Sequence, residues 1–318
     1  MSEFEIIRNH FSRDYDRSDI NVGVGDDGAI LNIDQMIGSQ LVVSTDTIVE
    51  QTHFPEGTIA GNIAKRAMCI NLSDMAAMGA LPLWFTLSLT LPGDKANEAW
   101  LSEFSSGLFE IASRYNCALI GGDTTKGPLS VTICMFGNIP SDAGLKRSSA
   151  SVGDIIYLSG SIGASRAALE LLSKNGNVSE RLLKLFYEPT PMIDLGIKLR
   201  DIATSCIDVS DGLVADLGHI CRASRVSAIM HLASLPFDEE VKLLFPDKYT
   251  EFGLSGGDDY QLCFTVPKHL KGSIESISTQ TGITLTAIGE IVEFDHTQSI
   301  TINGLEDQLN LKGYDHFE

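Results

Sequence analysis

The chain has 318 residues, of which 43% are apolar and 20% charged, with a formal net charge of −19. That length and apolar content suit two globular domains of roughly 150 residues each. The acidic balance, which many soluble proteins share, argues against a nucleic-acid binder and against docking on an anionic membrane, since both need clustered Lys and Arg. It leaves room for a phosphorylated small substrate whose charge is met by metal ions.

In chain order, Met1 to Phe11 carries Glu3 and Glu5 and lacks the basic-then-apolar pattern of a secretory signal. Gln40 to Ser44 predicts a buried strand ending in Thr45-Asp46-Thr47, and Ala60 to Met78 a helix stopped by Gly79 and Pro82. The uncharged run from Met75 to Gly93 has the length of a membrane span. Its prolines and the alternation from Leu87 to Leu91 predict instead a turn and a strand over Leu83 to Leu91. An amphipathic helix is expected over Glu98 to Tyr115. A short strand, Ala118 to Ile120, then runs into Gly121-Gly122-Asp123, followed by another over Ser130 to Gly137. The polar stretch Ser141 to Asp154 is the expected boundary, with domains at 1–140 and 151–318.

The second half restarts with a strand, Ile155 to Ser159, a glycine turn and a helix to about Ser173. Pro189 and Pro191 interrupt the next helical stretch. Cys206 to Val209 predicts a strand, then Ser210-Asp211-Gly212 and a helix through Cys221. Leu262 to Val266 and Leu285 to Ile291 are further strands. Mixed strands and helices in both halves indicate an α+β, two-domain protein. The six cysteines, Cys69, Cys117, Cys134, Cys206, Cys221 and Cys263, form no CxxC pair, which predicts reduced thiols and a cytoplasmic location.

No Gly-Lys dipeptide occurs, so a Walker P-loop is excluded. Gly23 to Gly28, GVGDDG, fits GxGxxG, but Asp26 and Asp27 would repel a pyrophosphate unless a metal ion lay between; an Asp-Gly turn is the plain alternative. Short aspartate clusters recur at element ends: Asp26-Asp27, Asp46, Asp74, Asp123, Asp208 with Asp211, and Asp258-Asp259. Mg²⁺ takes oxygen ligands of this kind. Asp211 or Ser210 could equally cap the next helix, and Asp46 could be a turn residue. Asp74 is harder to explain without a cation. It falls near a helix C-terminus, where the macrodipole disfavours a carboxylate, on the stripe of Ala67, Ile70 and Met78. Two carboxylates ~4 Å apart repel by roughly 4 kcal/mol at an effective dielectric of ~20, so converging acids need either raised pKa values or divalent cations.

These segments, GVGDDGAIL, STDTIVEQTHF, NLSDMAAMGALP, LIGGDTTKGPLSVT, IDVSDGLVADLGHI, LSGGDDYQLCFTVP and KGYDHF, span nearly the whole chain in one order. In that order the chain resembles the thiamine-monophosphate kinases, in the superfamily of aminoimidazole ribonucleotide synthetase and selenophosphate synthetase. The resemblance implies ATP-dependent, magnesium-dependent conversion of thiamine monophosphate to thiamine diphosphate, the final step in making that cofactor. It implies a homodimer formed through the N-terminal domains and a site in a cleft between the two domains. Asp27, Ser44, Thr45, Asp46, Asp74, Asp123, Asp208 and Asp211 would correspond to magnesium ligands. Tyr115, Gly122, Arg147 and Ser210 would contact ATP. His53, Asp258 and Tyr314 would contact thiamine monophosphate.

The chemistry of the side chains agrees in kind: Arg147 can fork onto phosphate oxygens, and Tyr314 can cover a cationic ring. Asp258 stands where the family usually has Glu, one methylene shorter. No general base is assigned, because the acceptor oxygen belongs to a phosphate already ionised. Alternatives are another ATP-dependent enzyme of the superfamily or an acidic cation-binding protein. A selenophosphate synthetase should carry a reactive Cys near its N-terminus, and a hydrogenase-maturation relative should end in Cys; here the first cysteine is Cys69 and the last residues are His316-Phe317-Glu318.

Overall fold

The structure, a computed structural model, describes residues 3–25, 28–33, 36–297, 299–305 and 313. The chain divides into two compact units: Met1–Met75 with Ala80–Asp142, and Ala76–Gly79 with Ala143–Glu318. Among the described residues no helix is long and apolar enough to cross a membrane.

The first unit holds α1 (Glu3–Ile6), which runs into a π-helical turn over Ile7–Phe11, and a two-stranded ribbon of β1 (Ile20–Val22) and β2 (Ile30–Leu31). There follow β3 (Ser39–Val49), α2 (Ala60–Ala77), β4 (Leu81–Leu91), α3 (Glu98–Arg114), β5 (Ala118–Lys126) and β6 (Ser130–Pro140). The sheet order is β3-β6-β4-β5, with only β4 and β5 parallel. Burial alternates strictly along β6, where Val131, Ile133, Met135 and Ile139 are inside, the mark of a sheet with one fully covered face. Helices α2 and α3 meet at Gly61 and Gly107, where a side chain on Gly107 would strike the Gly61 carbonyl. On the other face a small cluster of Trp84, Ala118 and Ile120 lies under Tyr15, Ile20 and Leu31, while Leu41, Val43 and Leu81 stay about half exposed.

The second unit holds β7 (Ile155–Ser159), α4 (Ala164–Ser173), α5 (Glu180–Tyr187), α6 (Ile193–Leu199), β8 (Ser205–Asp208), α7 (Leu213–Ser224) and β9 (Ser227–His231). It continues with α8 (Glu239–Leu244), α9 (Tyr249–Ser255), β10 (Leu262–Val266), α10 (Lys271–Thr281), β11 (Leu285–Val292) and β12 (Ile300–Asn303). Its sheet runs β12-β9-β11-β7-β10-β8, antiparallel except for β12 on β9. Strands β8 and β10 are buried along their whole length, so that polar Ser205, Asp208 and Thr265 lie inside beside Cys206, Ile207 and Phe264. One core joins Ile156, Leu158, Ile207 and Cys263 of the sheet to Leu213, Leu217 and Ile220 of α7.

Candidate active site

Strand β3 does not end at Ser44 as its sequence suggests. Its Thr and Ile residues continue the pairing with β6 as far as Val49 opposite Ser130. The pleat sends Ser44 and Asp46 to the side of buried Val42 and Ile48, and Thr45 to the exposed side, so the Thr45 side chain lies away from that group. Helix α2 brings Asn71 and Asp74 to Ser44 and Asp46. The Ser44 hydroxyl donates to Asp74 Oδ2, and the Asp46 N–H donates to Asn71 Oδ1 at 3.2 Å. Asn71 is itself oriented by donating Nδ2–H to the Ala67 carbonyl at 2.9 Å. Asp74 sits half-buried in the last turn of α2, a turn without a basic residue. This all-oxygen group fits a hard cation such as Mg²⁺.

His53 follows β3. Its Nδ1 accepts the Val49 N–H at 3.0 Å, which leaves the proton of the neutral ring on Nε2. Its carbonyl accepts from Nε of buried Arg66 at 3.1 Å.

A cavity of about 320 Å³ in the same unit is walled by Ile7, Phe11, Val24, Leu87, Leu119 and Ile120, with Gly25, Gly28, Gly121, Gly122, Asp123 and Thr124 completing its lining. Apolar walls beside glycine backbone and a carboxylate suit a flat base with phosphates attached. The strand β5 runs on through Gly121 to Lys126, beyond its expected end at Ile120. It can do so because Gly122, at φ +154°, tolerates a contact in which a Cβ would lie 1.9 Å from the Leu87 oxygen. Tyr115 is the C-terminal cap residue of α3 and is not one of the cavity's lining residues. Asp27 and Tyr314 lie outside the described residues.

In the second unit, β8 delivers Asp208 buried at its end, and the turn Ser210-Asp211-Gly212 leads into α7. Gly212 is obligatory there: its φ is +117°, and a Cβ would sit 2.8 Å from Ser255 Cα. Asp216, buried in the first turn of α7, accepts the N–H groups of Ser210, Asp211 and Gly212 on a single oxygen at 3.0, 3.0 and 3.2 Å. Burial, helped by the Asp211 and Asp208 charges, pushes the Asp216 carboxyl up to about 7. Asp211, Asp216 and His219 each bring one potential ligand atom within 4.8 Å of the others. The charge of Arg147 is felt at His219, whose pKa is lowered by burial and by Arg222 and Arg147.

The loop before β10 is laced to the same turn. Asp258 N–H donates to the Ser210 carbonyl at 2.8 Å, and Tyr260 N–H to Val209 at 2.9 Å. Asp258 and Tyr260 both adopt left-handed backbone, at φ +62° and +50°, and the Tyr260 hydroxyl donates to Asp258 Oδ1 at 3.1 Å. Buried Asp259 turns the other way and accepts the Gly163 N–H at 2.9 Å; burial pushes its carboxyl up to about 8. Sequence reasoning missed Asn71, Arg66 and Asp216 as parts of these groups, and had Asp259 only as the second member of the Asp258-Asp259 pair. Asp216 had a usable signal, an acid in the first turn of a helix four residues after an Asp-Gly pair.

Residues 25–139 match the family description AIR synthase related protein, N-terminal domain, and residues 151–301 its C-terminal domain. The chain is 42% identical to the thiamine-monophosphate kinase of Escherichia coli strain K12 over 99% of this chain and 98% of that one. The chain belongs to the thiamine-monophosphate kinase family. Two solved members of this family share the fold. The thiamine-monophosphate kinase from Stenotrophomonas maltophilia K279a superposes with a TM-score of 0.84 at 39% identity, covering 91% of this chain and 92% of that one. AaThiL complexed with AMPPCP and TMP does so at 0.79 and 30%, covering 92% of each.

Proposed function

We propose that this chain transfers the γ-phosphate of ATP to the phosphate of thiamine monophosphate, giving thiamine diphosphate and ADP. The observation that carries this reading is the full-length match to kinases of that name, together with a relative solved with AMPPCP and TMP. A phosphate oxygen of thiamine monophosphate attacks the γ-phosphorus, and the bond from that phosphorus to the bridging oxygen of ADP breaks. The attacking oxygen is already anionic, so positioning and charge matter more than proton removal. In this reading residues 1–140 provide the nucleotide cavity, with Asp123 and Gly122 at its polar end, and residues 151–318 complete the nucleotide and substrate contacts. Arg147 and Ser210 hold phosphate oxygens, and His53 offers its Nε2–H to an anion; Tyr115, which does not line the cavity, is given no part in this reading. Asp258, with Tyr314, meets the cationic thiamine.

Asp27, Ser44, Asp46, Asp74 and Asp123 of the first unit, and Asp208 and Asp211 of the second, are the proposed holders of magnesium; Thr45, on the exposed side of β3, is left out of the set. Support comes from the oxygen-only donors and from Asp74 at a negative helix end. Bound there, Mg²⁺ supplies the positive charge that lets two phosphates approach. A homodimer is supported by the half-exposed Leu41, Val43 and Leu81 on the open sheet face, a surface suited to a second copy. Free cysteines, five of the six buried, are in keeping with a cytoplasmic setting.

Incubating the purified chain with ATP, Mg²⁺ and thiamine monophosphate should yield thiamine diphosphate and ADP in equal amounts. AMP or free phosphate as the main product would overturn the reading.

A further inference from the structure

The backbone of Ser210 is held on both sides. Its N–H is one of three that converge on the Asp216 carboxylate, and its carbonyl receives the Asp258 N–H at 2.8 Å. The groups on the two sides have different duties in the function proposed above: Ser210 and Asp211 belong to the nucleotide and its metal, Asp258 to thiamine. Asp216 is 2% exposed, and one of its oxygens is fully committed to backbone N–H groups. That oxygen serves as a fixed acceptor on which the turn is moulded.

We infer that Asp216 is a positioning residue that sets the nucleotide-side turn and, through the Ser210 carbonyl, the thiamine-side loop, so that binding of the two substrates is coupled through one buried carboxylate. A carboxylate accepting three N–H bonds makes charge-assisted contacts about twice as strong as neutral ones. Its loss leaves three turn amides to find other partners, and the turn relaxes. Outer partners of this kind typically change affinity by roughly 10–100-fold when removed.

The inference rests on the proposed kinase reading, and the test separates the two. Affinities for a non-hydrolysable ATP analogue with Mg²⁺ and for thiamine monophosphate are measured by calorimetry on the full chain and on Asp216→Asn, Asp216→Ala and Asp258→Ala. Amide hydrogen exchange is followed in parallel over residues 208–212 and 257–261. Asp216→Ala should weaken both ligands roughly tenfold and speed exchange in both segments. Asp216→Asn keeps an acceptor oxygen without the charge, so it should weaken both about threefold. Asp258→Ala should weaken thiamine monophosphate alone. If Asp216→Ala does not fold, Asp216→Asn carries the same comparison. The inference is overturned if either Asp216 variant weakens only one ligand, or if exchange quickens in 208–212 while 257–261 stays protected. Failure of the kinase reading looks different: the parent chain itself then does not bind thiamine monophosphate, whereas the exchange result still reports on the mechanical link.

Discussion

Two buried aspartates, one in each unit, are neutralised in opposite ways. Asp19 in the first unit is gripped by Arg17, whose Nε and terminal amine both donate to it, and receives Trp84 Nε1–H at 2.9 Å. Arg17 is tied down in turn by the carbonyls of Leu83 and Asn116. The Arg17 hydrogen bonds hold the Asp19 carboxyl below its ordinary range. Asp216 in the second unit has backbone N–H groups instead of an arginine, and burial, with other carboxylates close by, outweighs them and raises its pKa. An acid that carries its own arginine is a structural latch, closed on itself. The acids proposed to hold magnesium, Asp74 and Asp211 among them, are the second kind: in the proposed function their charge is completed by what they bind.

The contrast is sharpest if the second kind of acid is made neutral. Asp46→Asn should lower kcat on the order of 1,000-fold, the upper end for losing one preorganised charge-stabilising group. The melting temperature should stay within a few degrees. Near-normal turnover at low Mg²⁺ would remove Asp46 from the site.

Breaking the latch should do the reverse. Arg17→Ala leaves Asp19 buried and uncompensated, at a cost of about 3 kcal/mol in stability. The kcat of the folded fraction, measured well below the melting temperature, should be unchanged. A chemical denaturation midpoint equal to the parent's would show that the pair is ornamental.

Asp238 lies between the two cases and should respond more weakly. It accepts from Arg181 and also from the N–H groups of Glu240 and Val241. Arg181 is half exposed, so its removal is expected to cost only about 1 kcal/mol. A loss as large as that for Arg17→Ala would mean that the backbone donors contribute little.

The smallest effect is one of pH. The folded-state pKa of Asp19 is depressed, so its contribution to stability is complete above the unfolded value near 3.8 and is lost as pH falls through the folded value. Both tryptophans, Trp84 and Trp100, belong to the first unit, so their fluorescence reports on that unit alone. The parent should begin to lose the Trp84 signal only below about pH 4, and Asp19→Asn should flatten that acid limb. An unchanged acid limb in that variant would assign the transition to other carboxylates.

Most strands and helices could be read from periodicity, because each has at least one face that must be buried. The α2 helix and strands β7 and β10 fall close to where apolar spacing places them. The ends of β3 and β5 were misread because Ser, Thr, Gly and Asp are turn residues by habit, and here a neighbouring strand holds them extended. In the site, the carboxylates themselves were visible as a recurring motif. Their partners were not. That Asn71 meets Asp46, or that Asp258 donates to Ser210, depends on pairs 25 and 48 residues apart, and no local pattern records such a meeting. Asp216 was passed over for a related reason. An acid in the first turn of a helix has a sufficient local explanation, and that explanation hides what the carboxylate holds.

Strand β3 interleaves two duties, with Ser44 and Asp46 facing the helices and Leu41, Val43 and Thr45 facing outward. Deleting or inserting one residue upstream of Ser44 would shift the reading frame of the pleat and exchange these sets. Hydroxyl and carboxylate would be thrown outward, and leucine and valine driven toward Asp74. Such a lesion would strike the proposed chemistry and the proposed subunit contact in a single step. The strand should therefore accept substitutions at alternate positions yet tolerate no change in its length, unlike the turn from Ser141 to Gly144 just beyond the first unit's sheet.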